Sequence, residues 1–591
     1  MIDLFGGSIL AQGCRRVKEK VGAAARSGWF LSPRPEGVAM DHSALAERLG
    51  RGRVAERFFG AMGQSALLGA LYRYGAGLWG LPLRQIPWLT VPLLLLLGVR
   101  MLVAGRLVPG LLLLLCLGGS LLFLKAAGSL GGWCRGGLLG RWLPAETEPL
   151  PRFGVWLLLC GIAGGGVGWF AGVTYGVLCA AALLLFPAVF RIPPYGMLCL
   201  LLGLLPLLGT AACWALSFAV VVLYFFGRAF GGLKGHPLDG PDLFLGVFPI
   251  FCLISAVFSF NRADSFKVIA MWLGLFLCVP LVRRLITTRK QLVGSLATLT
   301  AGAVAAGVYG LWQYLSGMTN DTWTDTALFD NIQLRVYSTF ANPNVYGEFL
   351  LLVIPLVAGL ALYLKGTKRW LVIGADALLM VNMVLSYSRG CYVGIAVTAV
   401  VFLWNLSKKW LAVLAAVGVP LAILMMPESV MARILSIGNM SDTSTNYRIL
   451  IYVGTLLMFT RYWFSGLGIG ERAYNVVYSY YMLTAVTAPH SHSLIFQAVV
   501  SFGIIGAIYL AALFVIYQRR VKAAERVVTG PDRALLLGFG AVMWGFLVQS
   551  AFDYTWYNYR VFQLFWIVIL LGFAAVEVLQ ERSTEDGKTE I

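Results

Sequence analysis

Histidine is nearly absent, with four in 591 residues. Charge is scarce as well, at 12% of residues, and the balance is positive at a net +19. A chain that is 59% hydrophobic, with a mean hydropathy of +0.79, is not a soluble globular protein. None of the ten cysteines falls in a C-x-x-C pair, which argues against zinc and redox centres. Most sit inside apolar runs, as Cys116, Cys160, Cys199 and Cys278 do, and read as small hydrophobes. No RNA- or DNA-binding motif accompanies the basic excess. That excess therefore reads as the lysine and arginine bias of cytoplasmic loops, with no nucleic-acid partner. No cleavable signal peptide is evident either. Residues 1–60 carry Arg15, Arg16, Lys18, Lys20, Arg48, Arg51 and Arg53 without a strong apolar core, as expected of a basic cytoplasmic segment.

What the chain has is apolar length. Runs such as Leu107 to Leu124, Leu292 to Trp312 and Leu494 to Tyr517 can each cross a hydrocarbon layer of about 30 Å. Phe153 to Phe190 is long enough for two crossings. These runs are too long, and alternate too little, for strands of a transmembrane barrel. The expectation is an all-α polytopic membrane protein of about 14–16 transmembrane helices, surrounded by membrane lipids.

Clusters of basic residues orient the second half. Arg283, Arg284, Arg289 and Lys290 mark an inner loop, as do Lys365, Lys368 and Arg369, then Lys408 and Lys409, then Arg519, Arg520, Lys522 and Arg526. Spans fall in pairs between these markers. Residues 316–347, 386–390, 427–493 and 553–560 then belong to the outer face, and the tail after Gln580 returns inside. That outer set holds Arg335, Arg389, Arg433, Arg448, Arg461, Arg472 and Arg560 but no lysine. Arginine presents a planar fork of donors that grips phosphate in bidentate fashion, so the pattern suggests phosphate recognition. A positive-inside bias acting on lysine would also produce it.

Four outer stretches carry candidate chemistry. In "RVYSTFANPN", Asn342 is held extended before Pro343 and Asn344 suits a helix cap. Arg335 lies just upstream, near the positive end of that helix, which together would make an anion site. In "SYSRG", Arg389 stands at the membrane boundary with no acidic partner nearby in sequence; it is a functional candidate or a snorkelling side chain. "SDTSTNYR" opens a helix from Arg448 to Phe464 that would lie along the interface. "GLGIG" fits no nucleotide motif and reads as a loop. Last, "HSHS" places His490 and His492, with Ser493, at the start of a helix from Leu494 to Tyr517. An imidazole there can take a proton near neutral pH, or simply make a structural hydrogen bond. Two histidines lack a third metal ligand in view, although Asp442 or Glu471 could supply one; no metal and no cofactor are expected.

Together these stretches resemble the O-antigen ligase and polymerase superfamily. The ligase signature is His, then Asn, Ser or Gln, nine residues, then Gly-x-x-Gly. Here it reads His492, Ser493, Leu494 to Phe502, Gly503 to Gly506. "TFANPN" resembles the family's Thr-Phe-Gly-Asn-Pro-Asn with Ala341 in place of glycine. "YSRG" resembles its Thr/Tyr-Ser-Arg-Gly segment. "DTSTNYR" resembles its Asp-x-Ser-x-x-x-Arg segment, with Tyr452 where tryptophan is common. The resemblance spans residues 242–577, with 427–493 as the long extracytoplasmic loop and 578–591 as a cytoplasmic tail. It leaves residues 61–230 as an additional N-terminal transmembrane region.

The resemblance implies a GT-C-like core and metal-independent, inverting glycosyl transfer in the bacterial inner membrane. The donor would be a glycan on undecaprenyl diphosphate. The acceptor would be a sugar, lipid-sugar or protein hydroxyl. It implies that His492 and Arg389 are catalytic and that Arg335 and Arg448 hold the diphosphate. Asn342, Asn344, Ser493 and His490 are the further substrate-binding candidates. A repeat-unit polymerase of the same superfamily and a lipid-linked sugar transporter are the alternatives.

Overall fold

The computed structural model describes residues 53–77, 80–129, 153–233, 239–318, 334–425, 427–435, 443–483 and 486–589. Their regular structure is helical, with one isolated bridge between Pro82 and Ser129 and no strand among the described residues. Among the described residues, twelve helices are long and apolar enough to cross a membrane, or up to thirteen if the bent pair Val173–Val189 and Pro194–Leu204 forms one span. The sequence count of 14–16 included two further stretches. Gly366–Leu385 carries Lys368, Arg369 and Asp376, and the stretch 408–425 is split by a π-helical turn at Leu414–Gly418.

The chain forms two compact units. The smaller comprises residues 52–196 and 222–235. Its helices Ile86–Val103, Phe153–Ala171 and Val173–Val189 touch through glycine. A Cβ on Gly161 would stand 2.3 Å from the Leu89 carbonyl oxygen, and one on Gly176 2.6 Å from that of Gly164. Small residues let helices approach where lipid supplies no hydrophobic drive.

The larger unit holds residues 197–221 and everything from 236 onward. Residues 197–221, which the sequence groups with the N-terminal region, thus pack here. The helices that matter below are α1 (Gly240–Val257), α2 (Arg262–Phe276), α3 (Arg289–Leu315), α4 (Pro343–Tyr363), α5 (Gly366–Leu385), α6 (Arg389–Leu406), α7 (Glu428–Leu435), α8 (Thr443–Tyr462), α9 (Leu494–Val527), α10 (Gly530–Phe552) and α11 (Tyr559–Thr589). α4 and the first 22 residues of α11 form the centre, each with 89% of its span buried. α4, α6 and α10 meet at backbone distance. Added Cβ atoms would lie 2.5 Å from the Pro355 oxygen at Gly538 and 3.0 Å from the Gly545 oxygen at Gly394.

Both ends of the unit are tied by polar groups. At one end Arg283 binds Asp239, Asp242 and Glu577, Arg284 binds Asp242 at 2.8 Å, and Arg289 binds Asp532 at 2.8 Å. The loops 334–342, 386–388, 486–493 and 553–558 gather at the other end.

α9 departs from expectation. It is not one continuous helix, because Gly503 adopts φ 70°, ψ 178° and breaks it. The break frees backbone groups near 500–504. Leu467 N–H donates to the Val500 oxygen, Ser255 Oγ donates to the Ser501 oxygen at 2.6 Å, and Ile504 N–H donates to the Trp463 oxygen at 2.7 Å. The "GLGIG" glycines serve this strap. Gly466, Gly468 and Gly470 all have positive φ, and Cβ atoms on them would strike Gly503, Ser259 and Asp264. The strap pins α8 and the segment after it to α1, α2 and the broken point of α9.

Candidate active site

The first cluster forms around Tyr387, whose φ of 50° turns the chain sharply between α5 and α6. Arg335 donates to the Ser386 oxygen at 3.0 Å, to Asn344 Oδ1 at 2.9 Å and to the Tyr387 oxygen at 3.4 Å. Arg433, on α7, donates to the same Tyr387 oxygen at 3.3 Å. Arg389 is the first residue of α6, two positions on. Burial, and then the nearby Arg433, push Arg335 down to about 9, with Arg389 adding to the effect. It remains a cation at neutral pH.

The Asn-Pro-Asn turn supports this cluster. Asn342 caps α4 by accepting from the Asn344 N–H at 2.9 Å, and Pro343 takes the first helical position. Asn342 is thus engaged in the cap, while Asn344 faces Arg335. Ala341 has φ 59°, the left-handed region that explains a glycine at the matching place in the resembled pattern. Arg560 is occupied in holding this loop. It donates to the Thr339 oxygen at 2.8 Å and lies 4.0 Å over the Phe340 ring.

The second cluster brings together residues from three distant segments. Asp553 ends α10 and accepts from Arg448 Nη2 at 3.2 Å through Oδ2. Its Oδ1 lies 3.6 Å from His492 Nδ1, a buried atom with no hydrogen bond of its own. Arg448 also donates to the Phe552 oxygen at 2.8 Å. Tyr452 donates to the His492 oxygen at 3.0 Å, and the Leu494 N–H donates to the Asp553 oxygen at 3.0 Å. Burial opposes charge on Asp553, but Arg448 and His492 outweigh it and hold the carboxyl well below its usual range. His492 itself has φ 50°, so its ring projects from a strained turn ahead of α9. Ser493 is the N-cap, accepting from the Phe496 N–H at 3.4 Å.

His490 backs His492. Its Nδ1 accepts the His492 N–H at 3.1 Å, and its ring centroid lies 4.3 Å from that of His492 and 4.8 Å from that of Tyr557. Burial, followed by the His492 ring, pushes His490 down to about 3. An unfolded histidine titrates near 6.5, so below that pH the unfolded chain binds a proton the folded one refuses. Stability is therefore lost as pH falls from 6.5, by about 2 kcal/mol on reaching pH 5. The Asp553 carboxylate contributes no slope in that window, since its folded value is below the unfolded one near 4. Thermal unfolding in detergent at pH 7.5 and pH 5 checks this: His490→Gln flattens the difference, and an unchanged slope in that variant rejects the assignment.

A brace joins the two clusters. Gln549 Nε2 donates to the buried Glu348 Oε1 at 3.5 Å, its carbonyl accepts the Asp553 N–H at 3.0 Å, and Gly390 packs on its amide. Sequence reasoning missed Asp553, Glu348, Gln549 and Arg433 as site residues. Asp553 lay within the outer stretch 553–560, but its partners are far away in sequence. Among the described residues no group of His, Cys, Asp or Glu is arranged to hold a metal ion. Asp442 falls outside the described residues, and Glu471 begins the short helix Glu471–Tyr478.

The fold and site define a polytopic helical membrane protein with guanidinium groups and an imidazole–carboxylate pair gathered at one end of its helices. Residues 374–511 match the family model described as O-Antigen ligase, so the chain carries a domain of the O-antigen ligase and polymerase superfamily. The match includes Arg389, Arg433, Arg448, His492 and Gly503, and stops short of Arg335 and Asp553. No curated protein matches the chain.

Proposed function

We propose that this protein is a metal-independent, inverting glycosyltransferase with a GT-C-like core. It moves a glycan from an undecaprenyl-diphosphate-type donor to a hydroxyl acceptor at the extracytoplasmic face of the bacterial inner membrane, with both chain ends in the cytoplasm. One observation supports this reading: Arg448, Asp553 and His492 form a chain of contacts, and Gln549, whose backbone carbonyl holds the Asp553 N–H, packs against Gly390 at the start of α6, next to Arg389. Arg335 and Arg389 receive the donor diphosphate. His492 faces the acceptor hydroxyl. As the new C–O bond forms at the sugar C1, the old bond to the diphosphate breaks, the hydroxyl proton passes to His492, and the diphosphate leaves with one more negative charge. Asp553 orients the imidazole and stabilises it once protonated, and Arg448 holds Asp553 in its ionised form.

Charge that develops on the leaving group is where fixed guanidinium donors accelerate the step. Arg389→Ala is expected to slow transfer by about 10²-fold with the protein still inserted. Glycan transfer by the purified variant at close to the normal rate rejects this role.

The decisive experiment incubates purified protein with a lipid-diphosphate glycan and candidate acceptors and weighs the products by mass spectrometry. One block moved once supports ligation, and a ladder of repeats supports the polymerase alternative. The broken α9 suits a transporter too, because such proteins bind substrate at interrupted helices. A glycosidic bond formed in detergent, with no sealed compartment, excludes pure transport.

A further inference from the structure

A carboxyl group lies inside one of the two most buried helices, and the transfer step makes no use of it. Glu348, on α4, is 2% exposed. Ionisable side chains inside the helices of a membrane protein are costly and mark function. Glu348 Oε1 accepts from a neutral amide, Gln549 Nε2 on α10, at 3.5 Å. Gln549 is buried as well. Its Oε1 has no hydrogen bond and is turned to the start of α6, where an added Cβ on Gly390 would stand 2.1 Å away.

This contact lies just beneath three site residues. Glu348 follows Asn344 by four positions, and Asn344 accepts from Arg335. Gln549 precedes Asp553 by four positions, and Gly390 directly follows Arg389. Four residues make about one helical turn. Each of α4, α6 and α10 therefore carries a site residue at its end and a member of the contact at most one turn further in. Deeper still, the same helices meet through apolar atoms and backbone. A Cβ on Gly394 would lie 2.8 Å from Leu351 Cδ2 and 3.0 Å from the Gly545 oxygen. Apolar contact is not directional, whereas a hydrogen bond has a preferred distance and angle. One polar contact in an apolar interface can fix register at some cost in stability.

We infer that Glu348 and Gln549 are positioning residues that set the height of α4 against α6 and α10, and with it the distance between the arginine cluster and the Asp553–His492 pair. This rests on the transfer reaction proposed above. Inversion at the sugar C1 needs the acceptor hydroxyl and the leaving diphosphate on opposite sides of one carbon. His492 serves the first and Arg389 the second. A misplacement of about 1 Å between them costs about 10²-fold in rate. Each cluster keeps its own contacts when the Glu348–Gln549 bond is lost, so donor and acceptor still bind.

The test removes both polar groups together. Exchanging a buried pair for apolar side chains of similar volume is often neutral or stabilising. Glu348→Met/Gln549→Met is therefore expected to unfold in detergent within about 5 °C of the parent or above it. Its kcat for glycan transfer falls about 10²-fold, with donor and acceptor KM changed less than about threefold. A role in stability alone would move the unfolding temperature and leave kcat unchanged. A double variant with kcat near the parent's, or one that fails to fold, overturns the inference. Glu348→Gln is the conservative variant. Its amide can accept from Gln549 Nε2 and donate to Gln549 Oε1, so kcat returns to within about tenfold of the parent. If Glu348→Gln is as slow as the double variant, the carboxyl acts chemically and the positioning role falls. If the parent protein forms no glycosidic bond, the transfer reading itself falls and the inference with it.

Discussion

Replacing His492 with alanine is expected to lower glycan transfer by about a thousandfold, in the range a general base contributes. The argument rests on what surrounds the ring. Its Nδ1 faces the Asp553 carboxylate at 3.6 Å, and Asp553 is in turn held by Arg448. Loss of the imidazole removes the group that accepts the acceptor's proton and leaves the Arg448–Asp553 pair intact. The backbone contacts of residue 492 do not involve its ring, since Tyr452 bonds to its carbonyl and His490 to its N–H. The turn itself needs care, because residue 492 has φ 50°. Alanine tolerates that region less well than histidine, and asparagine tolerates it at least equally. His492→Asn is therefore the companion variant. Both should lose transfer, while the asparagine protein keeps the unfolding temperature of the parent. An asparagine variant that transfers glycan at a rate near the parent's removes the general-base role altogether.

Much of this arrangement was legible because it is local in sequence. Apolar runs mark helices, Pro343 and the flanking asparagines mark a cap, and "HSHS" marks a helix start; each depends on residues within a turn or two of one another. What stayed hidden depends on distance along the chain. The resemblance offers Arg448 as a diphosphate ligand but says nothing of the Asp553 carboxylate that lies 3.2 Å from it. Arg560 belongs to the outer arginines by position, yet its donors hold carbonyls of Thr339 and Leu208. Glu348 looks like one polar residue in an apolar helix, and only packing shows it beneath Gln549. Arg433 became visible through a carbonyl shared with Arg335. A signature reveals which residue types a site needs; it does not reveal which of them bond to each other.

Gly503→Ala is expected to prevent formation of a stable protein. The Gly-x-x-Gly element looks like two small residues in a continuing helix, where alanine would be welcome. In the structure Gly503 has φ 70°, and an added Cβ would lie 1.9 Å from the Phe464 carbonyl oxygen. The cost combines left-handed strain with a backbone clash that no side-chain rotation relieves, about 4 kcal/mol or more. Relief by straightening α9 carries its own penalty. The Val500 and Ser501 oxygens and the Ile504 N–H would lose their bonds to Leu467, Ser255 and Trp463, and the strap across the broken point of α9 would come loose. Gly246→Ala is the control, because nothing lies within 4 Å of a Cβ there. Thermal unfolding in detergent should find the Gly246 variant equal to the parent and the Gly503 variant aggregated or at least 10 °C lower. Equal unfolding temperatures for both would mean that α9 can run straight through Gly503, and the strap would then have no part in fixing the shape of α9.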